Sequence, residues 1–260
     1  MPAQVQHPSI GPKEIDLLHT IAAAVPVSEV IYAQQEAPPF ALLRYVDGIT
    51  FRELKRSRDW EAIAQAAASA GEVLAAIGRF RFDKAGWIGP GPKVTRPLLE
   101  GNHSVPRFVD LCLATPAAQG RVPAELRGRT HRAIWKAAPE LALDRDPRLV
   151  HGDFNGRNLI VRSENGRWRV AAVIDWEFAV AASPLIDIAN FLRYEEIDPV
   201  AEPHFSYAYR ANGGELPDGW RRLSRLHDLA ALCESLAREH LPEEFVPELI
   251  EQVAATVRGE

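Results

Sequence analysis

Apolar residues Ile15, Leu18, Ile21 and Ala22 recur at helical spacing over residues 13–24, and Pro26 closes that pattern. Residues 27–32 follow as a β-rich stretch, and residues 40–46 read as a second strand that ends at the turn pair Asp47-Gly48. Pro38 and Pro39 punctuate the turn between them. The pattern predicts a small antiparallel sheet with one helix. From Asp59, a good N-cap, Ile63, Ala66, Ala67, Ala70, Val73, Leu74 and Ile77 keep the helical period, so a long helix with one buried side is expected. Residues 81–105 carry Gly86, Gly89, Pro90, Gly91, Pro92 and Pro97, and are expected to form a surface loop without regular structure. Helical patterns resume at 106–116, 122–141, 184–194, 202–211 and 220–240. The last shows Leu226, Leu229, Ala230, Cys233, Leu236 and Ala237 on one stripe. Strands at 159–162 and 168–174 flank Ser163-Glu164-Asn165-Gly166, whose Asn-Gly pair is a strong hairpin signal.

Charge and composition narrow the partners. With 260 residues, 47% of them hydrophobic, the chain can bury one large core or two modest ones. Its formal net charge of -5 and pI of about 5.9 speak against binding a nucleic-acid backbone, which needs a basic surface. No apolar run approaches the roughly 18 residues of a membrane helix, and the first residues lack the basic start and apolar stretch of a secretory signal. A cytoplasmic protein with no membrane partner is expected. Cys112 and Cys233 lie far apart with no CxxC or Cys/His cluster, which gives no support to a disulfide framework or a zinc site and leaves both as buried fillers.

The chemistry-bearing stretch runs from 151 to 191. His151-Gly152-Asp153-Phe154-Asn155-Gly156-Arg157-Asn158 precedes the hairpin, and Ile174-Asp175-Trp176-Glu177 follows it. An aspartate opening a loop, an asparagine five residues later and a second aspartate after a strand supply what phosphoryl transfer needs: a carboxylate to accept a hydroxyl proton, and hard oxygens for a metal on the nucleotide phosphates. Magnesium takes few protein ligands, so one Asp and one Asn suffice. Either aspartate by itself would read as a cap or turn residue; the spacing of the set favours function. Trp176 and Phe178 read as core. Glu195, Glu196, Asp198 and Glu202 could draw a cationic substrate or simply form a solvated face.

These motifs resemble the aminoglycoside phosphotransferase and choline kinase-like family, relatives of the protein kinases whose catalytic loop reads H-R-D-L-x-x-x-N. The likeness runs from about residue 14 to 240 and is most specific over 151–191. It implies an α+β, protein-kinase-like two-lobed fold, with a reduced nucleotide-binding lobe and hinge at 1–48 and a mainly helical lobe at 49–260. By the same resemblance Asp153 is the catalytic base, Asn158 and Asp175 hold Mg2+, His151 supports the loop, and Asp187 braces it from the start of a helix. Arg157 stands where a guanidinium can reach the transferring phosphate. The backbone at Arg44, Tyr45 and Val46 would meet the adenine of ATP or GTP, and the acceptor would be a small-molecule hydroxyl.

The family's small lobe also carries a glycine-rich turn and a strand lysine that pairs with a helix glutamate. Thirteen residues precede Glu14, the candidate helix glutamate, and they include one glycine, Gly11, and one lysine, Lys13. Neither device is expected to fit there. Weak nucleotide binding, exposed apolar faces at Val30, Tyr32, Leu42 and Tyr45, and self-association follow as expectations. Two rivals remain: a catalytically silent binding or scaffold protein of the same fold, and a metal-dependent hydrolase using Asp153 and Asp175. The second is disfavoured because no histidine pair accompanies the aspartates at ligand spacing.

Overall fold

The computed structural model describes residues 10–34, 40–98, 105–141, 146–193 and 199–258. The Pro38-Pro39 turn and the acidic cluster 195–198 lie outside them, as does most of the segment before Glu14. Helix α1 (Ile10–Ile21) leads into an antiparallel ribbon of β1 (Val30–Gln34) and β2 (Phe40–Leu43). The expected helix and two strands are therefore present, with boundaries shifted by a few residues. Ile15, Leu17, Leu18 and Ile21 turn the apolar side of α1 into the main core. The ribbon is less covered. Tyr32 and Leu42 are each 53% exposed and Tyr45 is 82% exposed, as expected, while Val30 is half-buried and packs against the core.

Short strand β3 (Ile49–Thr50) runs directly into α2 (Phe51–Ser57). Thr50 caps that helix by accepting from the Glu53 N–H at 3.1 Å while the Glu53 carboxylate accepts the Thr50 N–H at 2.8 Å, a complete capping box. Asp59 caps α3 (Trp60–Ile77) as expected, its carboxylate accepting from Ala62 N at 3.0 Å. Its small apolar side lets α3 approach α8 (Ala201–Ala211) closely. A Cβ on Gly71 would meet the Phe205 carbonyl at 2.3 Å, so even alanine there would push the two helices apart.

The hairpin of β7 (Leu159–Glu164) and β8 (Arg167–Val173) forms as its turn chemistry predicts. Asn165 and Gly166 both sit at positive φ, 53° and 76°, the conformation that suits a tight turn between twisted strands. Strand β3 adds to β7, and α3 covers β8: Gln65 and Ser69 side chains accept the N–H groups of Trp168 and Val170. That satisfies backbone donors an edge strand would otherwise leave open.

Residues 81–105 depart from the expected loop. They contain β4 (Gly86–Gly89) and β5 (Lys93–Arg96), which join β6 (Arg148–Val150) and β9 (Val180–Ala182) in a four-stranded sheet of order β5-β4-β9-β6. The physical reason is that the Gly89-Pro90-Gly91-Pro92 run is only the turn. Gly86 is required by close approach, since a Cβ there would meet the Arg96 carbonyl at 2.4 Å. The helical segments resolve into α4 (Val105–Leu113), α5 (Pro116–Arg121), α6 (Ala124–Lys136), α7 (Leu185–Leu192), α8, α9 (Trp220–Ala237) and α10 (Val246–Val257). Helices α5 and α10 lie outside the expected helices; Pro116 opens α5 and Pro123 stands at the N-cap of α6, positions where a missing N–H costs nothing.

Among the described residues two large apolar cores form, with a small third cluster of Val150, Val180 and Ala182. One large core gathers α1, α3, α8 and the hairpin around Trp176, Phe154 and Phe205; the other gathers α4, α6, α9 and α10 and holds Cys112 and Cys233. Burial raises both thiol pKa values, Cys112 to about 12, which suits packing rather than reactivity. Among the described residues no helix is long and apolar enough to cross a membrane.

Candidate active site

Strand β6 delivers residues 151–158 as a loop, and β8 ends at residues 174–178 beside it. Their backbones are joined where Ile174 N–H donates to the Asn158 carbonyl at 3.0 Å. His151 is fully buried between them. Its Nε2 donates to the Ile174 carbonyl at 3.0 Å and its Nδ1 accepts from Asp153 N at 3.2 Å, which fixes one neutral tautomer. Burial pushes its pKa down to about 4, so it holds the loop and carries no charge. The ring also packs on Trp176, centroids 4.6 Å apart.

Asp187, in the first turn of α7, is the brace from the other side. Its carboxylate accepts His151 N–H at 2.7 Å and Gly152 N–H at 2.9 Å. Complete burial pushes its pKa up to about 7 against the pull of those two donors. Gly152 itself is at φ +84°, and a Cβ would meet the Phe178 carbonyl at 2.5 Å. Only glycine lets the two loops approach this closely.

Asp153 is oriented by two amides. Asn155 Nδ2 donates to one carboxylate oxygen at 2.7 Å, and Asn158 Nδ2 donates to the other at 2.8 Å and to the Asp153 carbonyl at 2.9 Å. Asn158 thus commits its nitrogen to Asp153, and its oxygen has no protein partner among the described residues. Asp175 sits at φ 69°, in the left-handed region that few residues with a side chain adopt. Partial burial raises its pKa and the negative charge of Asp153 raises it further, so the two carboxylates feel one another. Asn158 and Asp175 present hard oxygen donors without His or Cys, a set suited to magnesium. Among the described residues no three or more His, Cys, Asp or Glu side chains are grouped so that they could hold a metal ion by themselves. Arg157 is exposed, its N–H given to the Asn155 side chain at 2.9 Å.

Lys13 and Glu14 also reach this site, from α1. Lys13 is buried, donates from Nζ to the Glu177 carbonyl at 2.9 Å, and lies 5.7 Å from the Trp87 ring centroid. Burial lowers its pKa to about 8. The Glu14 carboxylate accepts Trp176 N–H at 3.4 Å, and its pKa is raised by burial and then by Asp175 and Glu177. The sequence points to Glu14 through the family resemblance and offers only spacing for Lys13, which lies four residues before Leu17 and eight before Ile21 on the buried face of α1. Of the hinge residues, Arg44 gives its N–H to the Glu29 carbonyl at 2.8 Å and its side chain to the Glu29 carboxylate. Glu202 is not grouped with the loops. It pairs with Arg221 instead.

A model of the phosphotransferase enzyme family matches residues 3–226. The chain belongs to that family. On that footing it is a phosphotransferase of the small-molecule kinase kind, and its α+β architecture is the kinase-like fold of solved relatives. A structure of aminoglycoside phosphotransferase APH(4)-Ia in ternary complex with ADP and hygromycin B superposes with a TM-score of 0.67 at 20% identity, covering 95% of this chain and 82% of that one. The GDP complex of aminoglycoside 2'-phosphotransferase-IIIa gives 0.66 at 18% identity, covering 95% and 81%. The GDP and kanamycin complex of APH(2")-IIIa gives 0.62 at 17% identity, covering 96% and 82%. At these identities the likeness is one of fold. No curated protein matches the sequence.

Proposed function

We propose that this phosphotransferase moves the γ-phosphate of ATP or GTP to a hydroxyl of a small molecule, with Asp153 as base, Asn158 and Asp175 as Mg2+ ligands and Arg157 on the transferring phosphate. The observation that carries the reading is the pairing of the two loops. An Asp153 carboxylate oriented by two side-chain amides stands within electrostatic reach of Asp175, so a cation held by Asp175 would relieve their repulsion. Each Asp153 oxygen accepts one amide N–H and keeps a lone pair for a hydroxyl.

In the transfer step the acceptor oxygen bonds to the γ-phosphorus as the bond from that phosphorus to the β–γ bridging oxygen breaks. The hydroxyl proton passes to the Asp153 carboxylate, and the nucleoside diphosphate leaves with the electron pair of the broken bond. Magnesium, when bound, supplies charge neutralisation at the phosphate oxygens. In the same reading residues 1–48 form the nucleotide lobe with its hinge and residues 49–260 form the helical lobe. The adenine then meets the Arg44 carbonyl and the backbone of Tyr45 and Val46, because the Arg44 N–H is already given to Glu29.

Two substitutions test the roles. Asp153→Asn should leave Mg-nucleotide affinity nearly unchanged and lower turnover by ~10²-fold or more, the usual contribution of a positioned base. Asp175→Ala should abolish magnesium-dependent nucleotide binding in a calorimetric titration, since the metal loses its anionic protein ligand. Wild-type turnover in the first variant removes Asp153 from the mechanism. Unaltered Mg-ATP affinity in the second removes the metal assignment.

A further inference from the structure

Between the two loops and α9 lies a cavity of about 220 Å³ that Gly152 and Phe178 border. Gly152 is the neighbour of Asp153 in the catalytic loop, which puts the cavity against the backbone of that loop. Its lining is mostly apolar: Trp87, Leu98, Phe108, Phe178 and Ile186 face it, with Ala231 from α9. A second cavity, of about 170 Å³, lies where α7, α9 and α10 meet and is lined by Arg193, Arg221 and Arg225; neither loop contributes to it.

Of the two carboxylates lining the first cavity, Asp228 is firmly paired and Glu234 only loosely, at a partly exposed position. Asp228 takes two hydrogen bonds from Arg193, Nε at 2.8 Å and Nη2 at 2.6 Å. Glu234 lies 3.8 Å from Arg238, one helical turn on. Trp87 itself is held by cations, with the Arg96 guanidinium 4.9 Å and the Lys13 ammonium 5.7 Å from its ring centroid. His227 completes the lining as a buried imidazole, kept neutral because burial lowers its pKa to about 4. A molecule with several ammonium groups would give up its hydration here for one carboxylate that is firmly paired and one that can face a single cation. A molecule with an apolar face would gain contact with three aromatic rings.

We propose that this cavity is the acceptor site, and that the acceptor is a hydroxyl compound with an aromatic or alicyclic face and at most one cationic group, placed beside Glu234. The assignment rests on the phosphotransfer reading for the reaction and stands apart from it for the binding.

The full chain is tested with phenethyl alcohol, phenylalaninol and kanamycin, by saturation-transfer NMR without nucleotide and by ADP release with Mg-ATP. Both aromatic alcohols should show saturation transfer and raise ADP release above the acceptor-free rate, and kanamycin should do neither. Ala231→Phe, which fills the cavity, should lose saturation transfer to both alcohols. Glu234→Lys, at a partly exposed position that tolerates a change of charge, should weaken phenylalaninol about tenfold and leave phenethyl alcohol unchanged. Kanamycin-stimulated ADP release without binding of the alcohols overturns the proposal and leaves the phosphotransfer reading standing. Failure of both alcohols to bind also overturns it. Binding of the alcohols that is lost in Ala231→Phe, with no ADP release, makes the cavity a ligand site that is not the acceptor site, which overturns the proposal and leaves the phosphotransfer reading standing.

Discussion

Around Asp153 the backbone is held by buried side chains of distant elements, whereas along β1 and β2 the side chains of Ile31, Tyr32, Phe40 and Leu42 stand about half exposed. The catalytic loop takes its shape from His151, Asp187 and Asn158, each buried and each hydrogen-bonded to loop backbone. The ribbon takes its shape from one strand pairing and from α1 packed behind it. A low-dielectric setting makes every partner in the first region costly to remove, and water makes most side chains of the second cheap to change. The two regions meet through Lys13 and Glu14, whose hydrogen bonds to the Asp175–Phe178 turn tie α1 to the loops.

The largest effect should come from breaking the buried side of the contrast. Asp187→Ala removes the acceptor of two buried N–H groups, each costing about 1–3 kcal/mol when orphaned, and should lower unfolding free energy by roughly 2–5 kcal/mol. Urea denaturation measures it. A midpoint within error of wild type would show that water replaces the carboxylate and that the loop is less dry than its geometry suggests.

Cutting the link should be milder and more informative. Lys13→Met keeps the aliphatic packing and removes the donor to Glu177, and is expected to raise the Mg2+ concentration for half-maximal nucleotide binding about three- to tenfold, up to ~1.5 kcal/mol. Lys13→Arg should recover part of that loss. A shift in melting temperature with an unaltered magnesium requirement would make Lys13 a purely structural residue.

The smallest effect on folding belongs to the ribbon. Leu42→Lys, at a half-exposed site, should change stability by no more than about 0.5 kcal/mol while reducing concentration-dependent association in sedimentation velocity. Association that is the same in both proteins would mean that this face is not what brings copies together.

Local rules in the chain itself determined a good deal. The spacing of Asp153, Asn158 and Asp175, the Asn165-Gly166 turn, the capped start of α3 and the apolar stripe of α9 are short-range features, set by neighbours within a few residues, and each is found where the sequence puts it. The Thr50–Glu53 capping box is equally local, although α2, at seven residues, is too short to show a period. Tertiary structure decided the rest. Strands β4, β5, β6 and β9 are only three or four residues long and become strands by pairing across as many as about ninety positions, which no local pattern records. The same holds for the site. Asp187 meets His151 from 36 residues away and Lys13 meets Glu177 from 164, and burial then gives both groups shifted pKa values that their residue types do not imply. Composition could supply the carboxylates and amides; only the packing that excludes water around them could say which are braces, which face one another, and which are left facing the cavity.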